Sequence, residues 1–190
     1  MTYKMKDLSP LTIETATGRS KEILSATKEK LGFTPNMYAN MANAPALLDA
    51  YVSSYNAFRA DKAFTPSEQE VIFLVVSREN GCNYCIAAHS LIADMMSGVP
   101  KDVTNAIRDG KTIGDPKLAA LAAFTEKMSL SRGNPSDADV AAFKAAGYDE
   151  RHILLVILAI SIKTLSNYSN HVFKTPVDAA FAARAWRKDD

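Results

Sequence analysis

The sequence predicts an all-α protein. Three observations carry that prediction: recurring helix-start and helix-stop signals, apolar stretches without a hairpin turn beside them, and alanine-rich segments of helical length. Thr65-Pro66-Ser67-Glu68 is a capping box with proline at the first helical position, and it leads into the apolar run Val71 to Val76. Asn80-Gly81 stops that helix, glycine being the usual residue just past a helix end. Asp115-Pro116 and Thr175-Pro176-Val177-Asp178 repeat the start signal, and Gly98, Gly110 and Gly147 each follow a segment of helical length. Leu118 to Met128 is alanine-rich and favours helix by propensity. The runs 71–76 and 153–160 are rich in β-branched residues, and periodicity alone cannot separate helix from strand there. Their flanks decide it, because both continue into polar helix-forming sequence. Both are expected to be helices apolar on every side and central to the core.

The 190 residues suit a single helical domain, expected over 1–190. A faint internal repeat suggests that the domain holds two related halves, about 44–98 and about 115–175. Shifting by 82 residues lays Glu70-Val71-Ile72 over His152-Ile153-Leu154 and His89 over His171, with Thr164 and Asn167 where the first copy has cysteines. Chance similarity between alanine- and leucine-rich helices is the rival account.

Hydrophobic residues make up 47% and charged residues 23%, the balance of a folded globular chain. The net charge is +1 and the basic residues are dispersed, so neither nucleic acid nor an anionic membrane is an expected partner. The tail, with Arg184, Arg187 and Lys188 countered by Asp189 and Asp190, reads as a solvated chain end. The N-terminal ten residues lack the apolar core of a secretory signal, and Ile153 to Ile160 is far shorter than the roughly 20 residues of a membrane span. The expected location is the cytoplasm. In that reducing compartment Cys82 and Cys85 are an improbable structural staple, and a bridge between them closes too small a loop to stabilise much. Their spacing points to chemistry.

Gly81 ends one helix, so Cys82 opens the next, where unpaired N–H groups and the helix dipole favour thiolate. At 100° per residue Cys82, Cys85 and His89 fall within an arc of about 60°. If the helices fold back on each other at Gly81, Glu70 and His89 stand roughly 16 and 12 Å from the turn, a mismatch of less than one turn. Carboxylate, imidazole and thiol then form a proton relay. A zinc site is the competing reading, with Cys82, Cys85 and His89 as three ligands and Glu70, His152 or His171 as the fourth, although structural sites usually pair two loops. His152 and His171 otherwise read as structural, and Met95 and Met96 as core filler.

The spacing Glu70, eleven residues, Cys82-x-x-Cys85, three residues, His89 resembles the signature of the alkylhydroperoxidase D-like family, the cysteine-bearing branch of the carboxymuconolactone decarboxylase superfamily. The stretches 31–51 and 169–181 resemble flanks of its peroxidase-related members, so the likeness covers about 31–181. It implies an all-α fold of two related helical units, a homo-oligomer (trimer or hexamer) and thiol-dependent reduction of hydroperoxides. It further implies Cys85 as the thiol that meets peroxide, Cys82 as the resolving thiol, and Glu70 with His89 as the proton relay, with no cofactor. Helix electrostatics alone favour Cys82 as the more reactive sulfur. The implied reductant is a dithiol donor, lipoyl-type or thioredoxin-like. Tyr84 departs from the family pattern, which has histidine there. With an unperturbed pKa of about 10 it cannot relay protons near neutrality, but it can donate a hydrogen bond. The other functional readings are a thiol–disulfide exchange protein or redox sensor without peroxide turnover, and a structural zinc module.

Overall fold

The computed structural model describes residues 4–187. Met1 to Tyr3 of the polar N-terminal stretch, and Lys188, Asp189 and Asp190 of the tail, lie outside the described residues. The fold is all-α, with no strand among the described residues. The helices are α1 (Gly18–Leu31), α2 (Asn36–Met41), α3 (Pro45–Ala60), α4 (Pro66–Glu79), α5 (Asn83–Ile92), α6 (Lys101–Asp109), α7 (Pro116–Leu130), α8 (Asp137–Ala145) and α9 (Glu150–Phe173). A π-helical turn, Ala93–Ser97, extends α5, and a 3₁₀ turn, Ala179–Arg184, follows α9.

Helix α4 is the axis of the fold, packed against α5, α6, α7 and α9, with every residue from Glu68 to Ser77 buried. Its start is the capping box expected from sequence. The Glu68 N–H donates to Thr65 Oγ1 (3.2 Å), and the Thr65 N–H donates back to Glu68 Oε2 (2.8 Å). Its end is a Schellman turn: Gly81 N–H donates to the Arg78 carbonyl and Cys82 N–H to the Ser77 carbonyl, both at 2.9 Å. Gly81 takes a φ of +65°, which a side chain would disfavour. Cys82 is therefore both the last residue of that turn and the N-cap of α5, and the chain reverses within two residues.

Helix α9 differs from the expectation of a helix apolar all round. Val156, Ala159, Ile162, Lys163, Ser166, Asn167 and Asn170 are buried, whereas Leu154 (66%), Ile157 (45%) and Tyr168 (57%) are exposed on another face. The helix is 24 residues long with a mean hydropathy of 1.3 in its most apolar window, enough to cross a bilayer by length and composition. Its packing against α3, α4, α5 and α7, and the polar side chains it buries, make it a core helix instead. The two stretches overlaid by the 82-residue shift differ locally, because the break at Gly81 falls opposite the unbroken middle of α9.

Met95 and Met96 are not core filler. They are 76% and 79% exposed, since the last turn of α5 widens into π geometry and stops at left-handed Gly98. Asp178 is the N-cap residue of the 3₁₀ turn, as the start signal predicts, but its side chain makes no capping bond there and is buried. Arg184 is no solvated tail residue. Its guanidinium pairs with Asp94 (3.1 Å) and donates to Asn105 Oδ1 (2.9 Å), while Arg108 donates to the Arg184 and Ala185 carbonyls (3.0 and 2.9 Å).

Thr65→Ala removes the hydroxyl of the α4 capping box and should cost about 1 kcal/mol of stability. Urea denaturation of the variant beside the wild type measures the loss.

Candidate active site

The turn at Gly81 lays α5 back along α4 and brings Glu70 to His89. His89 Nδ1 stands 2.8 Å from Glu70 Oε2, with both side chains buried. Glu70 is completely buried and holds a second partner, the Arg59 guanidinium of α3, through its other oxygen. Arg59 also donates to Gln69 Oε1 (3.2 Å), and its guanidinium carbon lies 5.0 Å from the Tyr55 ring and 4.9 Å from the Phe73 ring. The Phe73 ring in turn packs on the His89 ring, with centroids 5.0 Å apart.

Burial pushes the Glu70 carboxyl up, but the His89 hydrogen bond and the Arg59 guanidinium outweigh it and hold Glu70 below the usual carboxylate range. Burial pushes His89 down, and the Lys163 ammonium adds to that against the pull of Glu70. An imidazole driven toward neutrality supplies a hydrogen bond rather than a charge, so the charge that balances Glu70 is Arg59. The proton of His89 then sits on Nδ1, facing the carboxylate, and Nε2 keeps a free lone pair.

Both cysteines are free thiols, and they are 1% and 2% exposed. Cys85 occupies the first turn of α5 and Cys82 its N-cap. Burial raises the Cys82 thiol, and its hydrogen bond to Cys85 raises it further, well above the ordinary thiol range. Burial also pushes Cys85 up, but the Cys82 hydrogen bond, the Lys163 ammonium, His89 and Ser166 together carry it well below that range. The two sulfurs are thus unlike: Cys82 holds its proton more tightly than an ordinary thiol, and Cys85 less tightly. Helix position alone would rank them the other way, and the hydrogen bond between the two sulfurs, followed by the Lys163 ammonium, accounts for the difference.

Four residues at helical spacing on α9, namely Lys163, Ser166, Asn167 and Asn170, are buried on the side facing the thiols. Asn170 Nδ2 lies 3.3 Å from Cys85 Sγ, 3.8 Å from Cys82 Sγ and 3.2 Å from Met37 Sδ, so it ties α9, α5 and α2 together at the sulfurs. Asn167 accepts from Asn80 Nδ2 (2.9 Å), beside the turn that presents Cys82. Sequence reasoning missed this face, as it missed Arg59. The spacing of 163, 166, 167 and 170 is the signal that was available.

Tyr84 hydrogen-bonds through its hydroxyl to Asp178 Oδ2, and burial followed by the Asp178 carboxylate pushes its own ionisation up and out of reach. Asp178 also accepts from the Asn36 N–H (3.1 Å), so Tyr84 joins α5 to the segment after α9 and to the start of α2. His152 caps α9 with Asp149 and reaches the Ala63 carbonyl (3.2 Å), a structural role. His171 stacks on Tyr168, with ring centroids 6.4 Å apart. Among the described residues no group of three or more His, Cys, Asp or Glu side chains is placed to hold a metal ion.

Residues 45–127 match the family model of the carboxymuconolactone decarboxylase family, a stretch that contains Glu70, Cys82, Cys85 and His89. The likeness to that family is carried by this stretch of the chain. Its fold is that of the alkylhydroperoxidase AhpD core. An uncharacterized peroxidase-related protein from Ralstonia eutropha JMP134 superposes with a TM-score of 0.82 at 20% identity, over 92% of this chain and 93% of that one. An uncharacterized peroxidase-related protein from Silicibacter sp. TM1040 gives a TM-score of 0.75 at 22% identity, over 97% and 98%. A cysteine-to-alanine variant of the debrominase Bmp8, in complex with 2,3,4-tribromopyrrole, gives 0.78 at 20% identity, over 96% and 97%. Comparison with curated proteins returned no match.

Arg59→Met should leave Glu70 buried without its counter-charge and cost about 3 kcal/mol at neutral pH, as breaking a buried pair does. Glu70 is depressed in the folded state, so its contribution is present above the unfolded value of about 4.3 and is lost as the pH falls below it. Urea denaturation across pH 3 to 7 should show the gap between variant and wild type narrowing toward the acid end.

Proposed function

We propose that this protein is a thiol-dependent hydroperoxide reductase in which Cys85 meets the peroxide and Cys82 resolves the product. The observation that carries the reading is the 2.8 Å bond from His89 to Glu70, held beside a dithiol whose Cys85 is the acidic member. A buried carboxylate that orients an imidazole next to a thiol is the arrangement a general base needs.

In this mechanism Cys85 reacts as its thiolate while Glu70 holds the His89 ring. The thiolate attacks the distal oxygen of the hydroperoxide, the O–O bond breaks, and a proton drawn from solvent passes through His89 Nε2 to the departing alkoxide. Alcohol leaves and Cys85 becomes a sulfenic acid. The Cys82 thiol then displaces water from it and forms the disulfide, which guards Cys85 against irreversible oxidation. An external dithiol, lipoyl-type or thioredoxin-like, reduces the bridge by exchange. The near-complete burial of both sulfurs favours small peroxides over bulky ones. The reading includes a cytoplasmic location, where such donors are kept reduced.

A second reading turns on the aromatic wall beside the thiols. Tyr51, Tyr55 and Phe73 stack in series, with centroids 5.9 and 5.7 Å apart, and a planar halogenated ring such as the one bound by the debrominase would have to join that stack. The dithiol would then give two electrons to a brominated arene, yielding the reduced arene, bromide and the disulfide. Bromide release from a bromopyrrole, with no consumption of peroxide, would establish this reading over the first. Turnover of protein disulfides alone would make the chain an exchange protein.

Oligomer formation belongs to the same proposal. Leu154, Ile157 and Tyr168 form an exposed apolar stripe along α9, and a second copy of the chain would cover it. Light scattering should give a trimer or a multiple of one, and a monomer of 20.6 kDa would overturn this part.

With a dithiol reductant present, Cys85→Ser should abolish peroxide consumption. Cys82→Ser should react once and stall as sulfenic acid, seen with a trapping reagent and mass spectrometry. Glu70→Gln and His89→Gln should each lower turnover by roughly 10². The double variant should lose little more, because the two residues act as one unit. Wild-type turnover in Glu70→Gln would leave that carboxylate a structural group.

A further inference from the structure

Lys163 sits in the middle of α9 at 1% exposure, and its Nζ has no hydrogen-bond partner among the described residues. An ammonium stripped of water and given no anion is strongly unfavourable. Its Nζ stands 5.4 Å from the centroid of the Phe73 ring, the same ring that packs on His89. Lys163 also heads the buried polar face of α9, and Asn170, two turns further along that face, places Nδ2 3.3 Å from Cys85 Sγ.

The charges around this point can be assigned one by one. From α4, Glu70 is ionised and paired with Arg59 of α3. From α5, His89 is pushed toward neutrality, Cys82 keeps its proton, and burial holds Tyr84 as a neutral phenol, as it does Tyr51 of α3. Asp178, beyond Tyr84, is satisfied by the Tyr84 hydroxyl and the Asn36 N–H. That leaves Cys85 as the group able to carry the missing negative charge.

We propose that the Lys163 ammonium is the counter-charge of Cys85, the group that holds this sulfur as a thiolate in the reduced protein and so positions it for reaction. The inference rests on one part of the proposed function, that Cys85 is the reactive thiol, and it requires no particular substrate. Lys163 is a positioning residue here, acting through the sulfur and not on the oxidant.

A redox consequence follows. On oxidation the Cys85 thiolate and the Cys82 thiol become a disulfide, one proton and two electrons, the electrons passing to a hydroperoxide. The thiolate is gone and the ammonium is left without a partner. Lys163 therefore favours the reduced form and makes the disulfide easier to reduce.

Lys163→Met keeps the shape of the side chain and removes its charge, so it suits a test that must not unfold the protein. The rate of iodoacetamide alkylation at Cys85, followed against pH by mass spectrometry, reads the thiolate directly. The variant should titrate at least about one unit higher than the wild type, with alkylation about tenfold slower below both midpoints. Its disulfide, equilibrated against dithiothreitol, should be about tenfold harder to reduce, or about 30 mV lower in potential. Melting temperature supplies the control: the substitution should stabilise the disulfide form more than the reduced form. Coincident alkylation profiles, or an equal fall in melting temperature in both redox states, would make Lys163 a structural residue and overturn the inference while leaving the peroxidase reading intact. A wild-type Cys85 that titrates at the ordinary value of about 8.5 would overturn the inference and the thiolate mechanism alike.

Discussion

A carboxylate with no exposure to water must be compensated wherever it sits, and Glu70 is compensated twice, by a guanidinium and by an imidazole. Much of the site follows from that requirement. Arg59 has to reach inward from α3, which packs on α9, α1 and α2, and its guanidinium lies over the Tyr55 ring of the same helix. His89 has to present Nδ1, which fixes the ring and leaves Nε2 free of the carboxylate. The Phe73 ring fills the space between these groups and keeps water from screening them. A low local dielectric strengthens each of these interactions and makes the loss of any partner costly.

The second constraint comes from α9. A helix with this much apolar sequence ordinarily offers its neighbours only packing, yet here its inner face carries an ammonium, a hydroxyl and two amides against a pair of thiols. The first half of the chain supplies the sulfurs, the carboxylate and the imidazole, and the second half supplies polar groups that add to the Cys82 hydrogen bond in drawing Cys85 down. The exposed outer face, with Leu154 and Ile157, shows why apolar composition alone does not locate a helix in the core. Much of any protein surface is apolar, and it is the buried polar residue that is informative.

The parts of this arrangement legible in the sequence are those written at short range. The capping box at Thr65, the glycine stop at Gly81 and the spacing of Glu70, Cys82, Cys85 and His89 are local patterns, and helix geometry converts them into a shared face and a fold-back. Arg59, Lys163, Asn170 and Asp178 were not legible, because their partners lie far along the chain or across an element whose orientation sequence does not specify. A lysine or asparagine within a helix looks like part of a solvated face until the packing of that helix is known. Met95 and Met96 went the other way: the π turn that carries them outward leaves no recognisable mark in composition.

Cys82 closes the end of one helix and opens the next, its N–H bonded to Ser77 and its carbonyl accepting from Ile86 at 3.0 Å. The turn therefore acts as a ruler between Glu70 and His89. One residue inserted on either side would rotate everything beyond it by about 100° and shift it by about 1.5 Å along the helix, carrying the carboxylate off the imidazole or the imidazole off the sulfur. A side chain in the wall of such a site can be exchanged without moving its neighbours along the chain. The length of the interval cannot be changed in that way, and only the loops outside it can take an insertion without breaking this register.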